Sequence, residues 1–163
     1  MHQNFDILEF TNFALEGTRM YTAAVLRPES VELLTKIMRE HRDLESEGFE
    51  YKTPSGDPLP HHMTINLGRF DSAINDPSLL GEEAVLVVNR LYYCYTTGAC
   101  AAYVCDAYST DFVPIESINK NKHITICLKP PAKPFHSNDI FDKAYVIHLD
   151  EHLMLAVDIV EVE

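Results

Sequence analysis

Two short strings hold the residue types best suited to chemistry: His62-Met63-Thr64-Ile65 and His123-Ile124-Thr125-Ile126. Each reads His-x-Thr followed by an aliphatic residue, with about 60 residues between them. On a β-strand, successive side chains point to opposite faces, so residues i and i+2 share one. That alternation sets His62 beside Thr64 and His123 beside Thr125. Met63, Ile65 and Leu67, like Ile124 and Ile126, are predicted to face apolar packing. Two such strands around one cleft unite two imidazoles and two hydroxyls. Imidazole, with an unperturbed pKa of about 6.5, populates both protonation states near neutrality, so one ring can accept a proton while the other donates one. The hydroxyls are neutral donors for the non-bridging oxygens of a phosphoryl group. This set suits in-line transfer at a phosphodiester.

The elements that must position these residues follow from pattern. Tyr21 to Leu26 reads as a first strand. Arg27-Pro28-Glu29-Ser30 is a helix entry, with proline and an acidic residue near the amino end. Val31, Leu34, Ile37 and Met38 then recur at helical spacing and predict a helix over 29–44. The stretch Thr53 to Pro60 is loop, leading into a motif strand over 61–67 that ends at Gly68. A turn or short helix is predicted in the polar segment 71–83. Residues 84–95 and 99–106 are predicted to pair as a hairpin around Thr97-Gly98. A turn or short helix over 113–119 precedes the second motif strand, 122–129, which Pro130, Pro131 and Pro134 close. A last hairpin is predicted from 145–149 and 153–162, turning at Asp150-Glu151-His152. Several strands with one or two helices make an α+β pattern. The repeated order of motif strand and hairpin predicts two lobes, each an antiparallel sheet with flanking helices, and a central cleft carrying the two His-x-Thr strands. Residues 1–20, which mix Phe5, Phe10 and Phe13 with Asp6, Glu9 and Glu16, are predicted to be an N-terminal arm, and 21–163 a single two-lobed domain.

Composition narrows the partners. The 163 residues carry a formal charge of −12, from 13 basic and 25 acidic side chains. A long duplex is held by many Lys and Arg contacts to phosphate, so this balance argues against one. A small anionic ligand in a local pocket remains compatible, and Lys120, Lys122, Lys129 and Lys133 flank the second motif. No apolar run approaches the ~20 residues of a membrane-spanning helix. The opening residues lack a secretory pattern, and the expectation is a soluble cytoplasmic protein. Cys94, Cys100, Cys105 and Cys127 form no CxxC pair and are expected to be free thiols. A zinc site from His61, His62, His123 and His136 lacks the short paired spacing of structural zinc, so no metal and no cofactor are expected. His61 is predicted to face away from His62, in a structural or supporting role. Tyr21, Phe70, Tyr92, Tyr93 and Tyr95 are candidates for stacking on a base, although such aromatics more often fill a core or a strand face.

With paired His-x-Thr strings on predicted strands, and an opening Tyr-Thr-Ala-Ala-Val-Leu strand, the chain resembles the 2H phosphoesterase superfamily. That group includes LigT-like RNA ligases, cyclic phosphodiesterases of tRNA repair and viral enzymes that degrade cyclic oligonucleotide alarm signals. The resemblance implies catalytic roles for His62, Thr64, His123 and Thr125: the histidines as general acid and base, in either assignment, and the threonines on the phosphate oxygens. Tyr21 and Lys122 are the added candidates for substrate binding. The activity implied is metal-independent hydrolysis of a nucleotide phosphodiester beside a 2′-oxygen. The first substrate class is a small cyclic di- or oligonucleotide immune signal of the cGAMP kind, as in the viral anti-CBASS-like branch, which would place the protein in a host cytosol. A 2′,3′-cyclic phosphate at an RNA end is the second, and a non-catalytic nucleotide-binding module is the alternative from another class. The partner is then a small nucleotide, met by a monomer or small homo-oligomer.

Overall fold

The computed structural model describes residues 20–163; the expected N-terminal arm lies, apart from Met20, outside the described residues. The described chain is built on one antiparallel sheet of six strands. In chain order these are β1 (Tyr21–Leu26), β2 (His62–Leu67), β3 (Glu83–Cys94), β4 (Ala99–Ser109), β5 (His123–Leu128) and β6 (Tyr145–Val162). Their spatial order is β2-β1-β6-β3-β4-β5, so the two motif strands occupy the two ends. The sheet curls until those ends approach, giving a nearly closed, barrel-like form. Residues 115–119 strap the gap: Ile118 N–H donates to the Ile65 carbonyl at 2.8 Å, and Ser117 Oγ to that of Thr64 at 2.7 Å. The result is a sheet-dominated α+β fold. One sheet replaces the two expected, because β3 and β6 run unbroken through both halves.

The expected last hairpin is absent for the same reason. Residues 145–162 form one strand of 18 residues. Val88 pairs with Leu153 and Arg90 with His148, so 149–152 bulge outward where a reversal was predicted. The charged run tolerates this because Asp150, Glu151 and His152 stay exposed. The hairpin of β3 and β4 does form, with Gly98 at φ 78° in its turn.

The single α-helix among the described residues, α1 (Pro28–His41), starts at the predicted proline, with Glu29 in its first turn and Arg39 and His41 in its last. It stops three residues short of the predicted end. Arg42 turns extended, reaching Glu47 at 3.1 Å and the Tyr95 hydroxyl at 2.7 Å, and Leu44 drops into the core. Leu34 and Met38 pack one face of α1 on the main core with Met63, Ile65, Ile124 and Ile126. Ser30 clips the helix to β6, donating to the Ala156 carbonyl and accepting its N–H. A second cluster (Leu59, Tyr92, Ala101, Leu128, Ala132 and Ile140 among its members) lies against the segment after β5. No helix among the described residues is long and apolar enough to cross a membrane.

Candidate active site

Both motif strands begin at their histidine, and each is distorted at the same place. In β2, Thr64 pairs with Ala23 and Asn66 with Thr22, leaving Ile65 as an extra residue. In β5, Thr125 pairs with Ala101 and Cys127 with Cys100, leaving Ile126 extra. A bulge thus follows each His-x-Thr, a placement common beside functional sites because it re-aims side chains. Fully buried Ile65 and Ile126 anchor the bulges. Each threonine lies across from an alanine, Ala23 or Ala101, which adds little bulk beside it. The bulge also overturns one expectation: alternation placed Leu67 in the apolar packing, but the inserted residue shifts the parity, and Leu67 lines the site.

His62, Thr64, His123 and Thr125 line one cavity of about 460 Å³, together with Tyr21. The loop before β2 adds Thr53, Asp57 and Leu59; the segment after β5 adds Phe135 and Asn138. The Thr53–Pro60 loop is folded on itself, with Thr53 N–H donating to the Asp57 carbonyl at 2.8 Å and Asp57 N–H to Thr53 Oγ1 at 3.0 Å. No Lys or Arg among the described residues lines the cavity. Lys122 does not: it lies 3.7 Å from the Glu116 carboxylate. Tyr92 is buried in the second cluster, while Tyr93 and Tyr95 pack with Tyr145 away from the cavity. Phe70 packs against the main core.

The two imidazoles are held differently. His123 Nδ1 is 2.7 Å from the Asn121 carbonyl, an acceptor only, so Nδ1 carries the proton and Nε2 keeps a lone pair. Its ring packs on Phe141 at 5.3 Å. His62 Nδ1 meets another imidazole, the Nδ1 of His61, at 2.9 Å. Its ring also lies 4.9 Å from that of Tyr21. Burial pushes the His62 pKa down to about 3, with further lowering from neighbouring His61 and His123. Burial lowers His123 too, partly offset by the Asn121 carbonyl. Unliganded, both rings are neutral at neutral pH. The threonines differ likewise: Thr125 Oγ1 shares a 2.8 Å hydrogen bond with the buried Ser137 hydroxyl, whereas the Thr64 hydroxyl has no protein partner among the described residues.

Of the residues singled out by pattern, the quartet and Tyr21 line the cavity; Asp57, Phe135 and Ser137, the last bonded to Thr125, were not singled out, and His61 was given a supporting role on the wrong face. His61 was set on the far face by strand alternation; it precedes the strand, where alternation does not hold, and it lines the cavity. Its adjacency to His62 was the available signal. Ser137 arrives by tertiary packing of a short 3₁₀ helix, Pro134–Asp139, and nothing local announced it. Among the described residues, no group of three or more His, Cys, Asp or Glu side chains is arranged to hold a metal ion. All four cysteines are free.

No family model matches the sequence. No curated protein matches it at a significant level. The fold is similar to that of a chain in a crystal structure of a fungal RNA kinase, at 17% identity and a TM-score of 0.53. The match covers 85% of this chain and 45% of that one, so this chain spans less than half of the neighbour's length. At that identity the likeness concerns fold alone.

Proposed function

We propose that the chain is a metal-independent phosphodiesterase acting on a nucleotide with a 2′-oxygen beside the reacting phosphate, in the manner of the 2H phosphoesterases it resembles. One observation supports this above the rest: two His-x-Thr pairs from opposite ends of the sheet order line a single cavity. In this reading His123, whose Nε2 keeps its lone pair, is the general base. It takes the proton from a ribose 2′-hydroxyl or from water as that oxygen attacks phosphorus in line. A proton passes from His62 to the leaving oxygen. Thr64 and Thr125 donate to the non-bridging oxygens as their charge grows. An anionic phosphoryl group in the cavity favours one proton held on the acid side of the site, opposing the lowering that burial imposes on the empty site.

Substrate size follows from the walls. The described residues that line the cavity include the Asp57 carboxylate and no Lys or Arg, which favours a ligand with few phosphates. A small cyclic di- or oligonucleotide presenting one linkage is the first substrate class. A terminal 2′,3′-cyclic phosphate of RNA is the second, favoured by a volume suited to one small ligand.

The experiment is product analysis, with a chelator present, on cyclic dinucleotides, cyclic trinucleotides, 2′,3′-cyclic mononucleotides and short RNAs ending in a cyclic phosphate. Wild type is expected to turn over one class. His62→Ala and His123→Ala are each expected to lose about 10²–10⁴-fold while still binding it. Binding without turnover in the wild type would make the chain a nucleotide-binding module instead.

A further inference from the structure

The two halves of the site look alike in sequence but are wired differently behind the rings. His123 backs onto a carbonyl, which fixes one tautomer. His62 backs onto His61, and the two rings stand nearly edge-on, 81° apart with centroids at 5.1 Å. An imidazole behind an imidazole can pass a proton where a carbonyl cannot. His61 also lines the cavity and is only half-buried, so it can exchange with solvent.

Resting on the reading of the site as a phosphodiesterase, we propose that His61 is a positioning residue that supplies the general-acid proton through His62, the two rings working as a two-step relay. In the step, the His61 Nδ1–H bond breaks as a His62 Nδ1–H bond forms. The His62 Nε2–H bond breaks as an O–H bond forms on the leaving oxygen. His61, doubly protonated before the step, ends neutral, and His62 is neutral before and after. The proton taken by His123 from the nucleophile returns to solvent; to reset, His62 Nε2 takes a proton from cavity water as the His62 Nδ1–H bond breaks and the His61 Nδ1–H bond re-forms across the 2.9 Å contact.

Surroundings favour His61 over His62 as the resting place of the charge. His62 is faced by His61, by His123 across the cavity and by the Tyr21 ring, none of which is an anion at neutral pH. Burial lowers the His61 pKa below its ordinary value, and the Asp57 carboxylate on the preceding loop offsets part of that lowering, an offset His62 lacks. Burial first, and Asp57 second, raise the Tyr21 pKa and hold its phenol proton on. A ring that shares the cavity wall with a carboxylate and whose Nδ1 meets the Nδ1 of His62 at 2.9 Å is arranged to hold a proton and hand it inward.

The first test needs no turnover. With ¹⁵N-labelled histidine, side-chain spectra at neutral pH are expected to show His123 as the Nδ1–H tautomer and His62 as the Nε2–H tautomer with an unprotonated Nδ1. On saturation with inorganic phosphate, His61 is expected to become doubly protonated while His62 stays neutral. A His62 imidazolium beside a neutral His61, or a His62 carrying its proton on Nδ1, would overturn the relay whether or not the chain proves an enzyme. The second test uses the substrate found above and its p-nitrophenyl ester. His61→Asn is expected to lower kcat at least tenfold more for the alkoxide leaving group than for p-nitrophenolate, which departs with less need of a proton. Equal losses for the two would mean a merely structural role and overturn the proposal. Asp57→Asn is expected to move the alkaline limb of kcat to lower pH, since a less basic His61 loses its proton earlier. An unmoved limb would count against it. Failure of the parent reading is distinguishable, because it shows as absent turnover with the spectra unchanged.

Discussion

The two motif threonines are chemically identical and structurally unequal. Thr125 is tied to Ser137, while the Thr64 hydroxyl has no protein partner among the described residues. In the proposed reaction Thr64→Val and Thr125→Val would each remove one donor to the developing charge, and kcat is expected to fall about 10²–10³-fold in either. Ser137→Ala leaves Thr125 in place but releases its rotamer, so a smaller loss in kcat is expected, with KM little changed; steady-state kinetics of the three variants ranks them. These differences bear on what was legible. The quartet could be read because period-two alternation is local and each His-x-Thr carries its own geometry. The partners behind the quartet could not. Asn121 acts through a carbonyl that every residue has, and Ser137 reaches Thr125 only through the packing of the segment after β5. His61 was visible, and was misplaced by extending the strand one residue too far.

Among the elements, the matched bulges are the feature alternation could not foresee. Ile65 and Ile126 each add a residue to an edge strand, and burial holds both in the main core. Ile126→Ala leaves a void there and is expected to cost about 2–5 kcal/mol, read by denaturant unfolding. Turnover should drop further than that loss of folded protein explains, because the bulge aims Thr125. The β3–β4 turn gives a second case. Gly98 has φ 78°, and a Cβ there would sit 3.0 Å from the Lys129 carbonyl oxygen. Gly98→Ala therefore adds crowding to a left-handed cost of about 1–2 kcal/mol. Gly81→Ala, at φ 84° with open space around it, is expected to show the conformational cost alone; the difference in unfolding free energy isolates the contact. Short-range signals located this hairpin and α1 well. They failed at 145–162, where a polar run that resembles a turn is an outward bulge between two well-paired stretches. Only the neighbouring β3, pairing on both sides of the bulge, makes it one strand.

For the molecule as a whole, burying the histidines couples folding to pH. His61, His62 and His123 all have pKa values lowered in the folded state. The unfolded chain therefore binds more protons below about pH 6.5, and stability falls as pH drops through that point. For His62 the fall continues toward pH 3; above the unfolded pKa the contribution is complete and flat. Melting temperatures over this range are expected to decline more steeply for wild type than for His62→Asn. An equal slope would mean that His62 protonates freely in the folded protein. The sheet carries a different kind of coupling. Its end strands are joined by the strap at Ile118 and Ser117 and by their shared core, while the route between the two imidazoles through strand pairing crosses every strand of the sheet. The width of the site is therefore a gauge of the curvature of the entire sheet. Small changes of twist at each strand pair, including at β3, none of whose described residues lines the cavity, accumulate at the one place where the proposed chemistry needs two rings at a set separation.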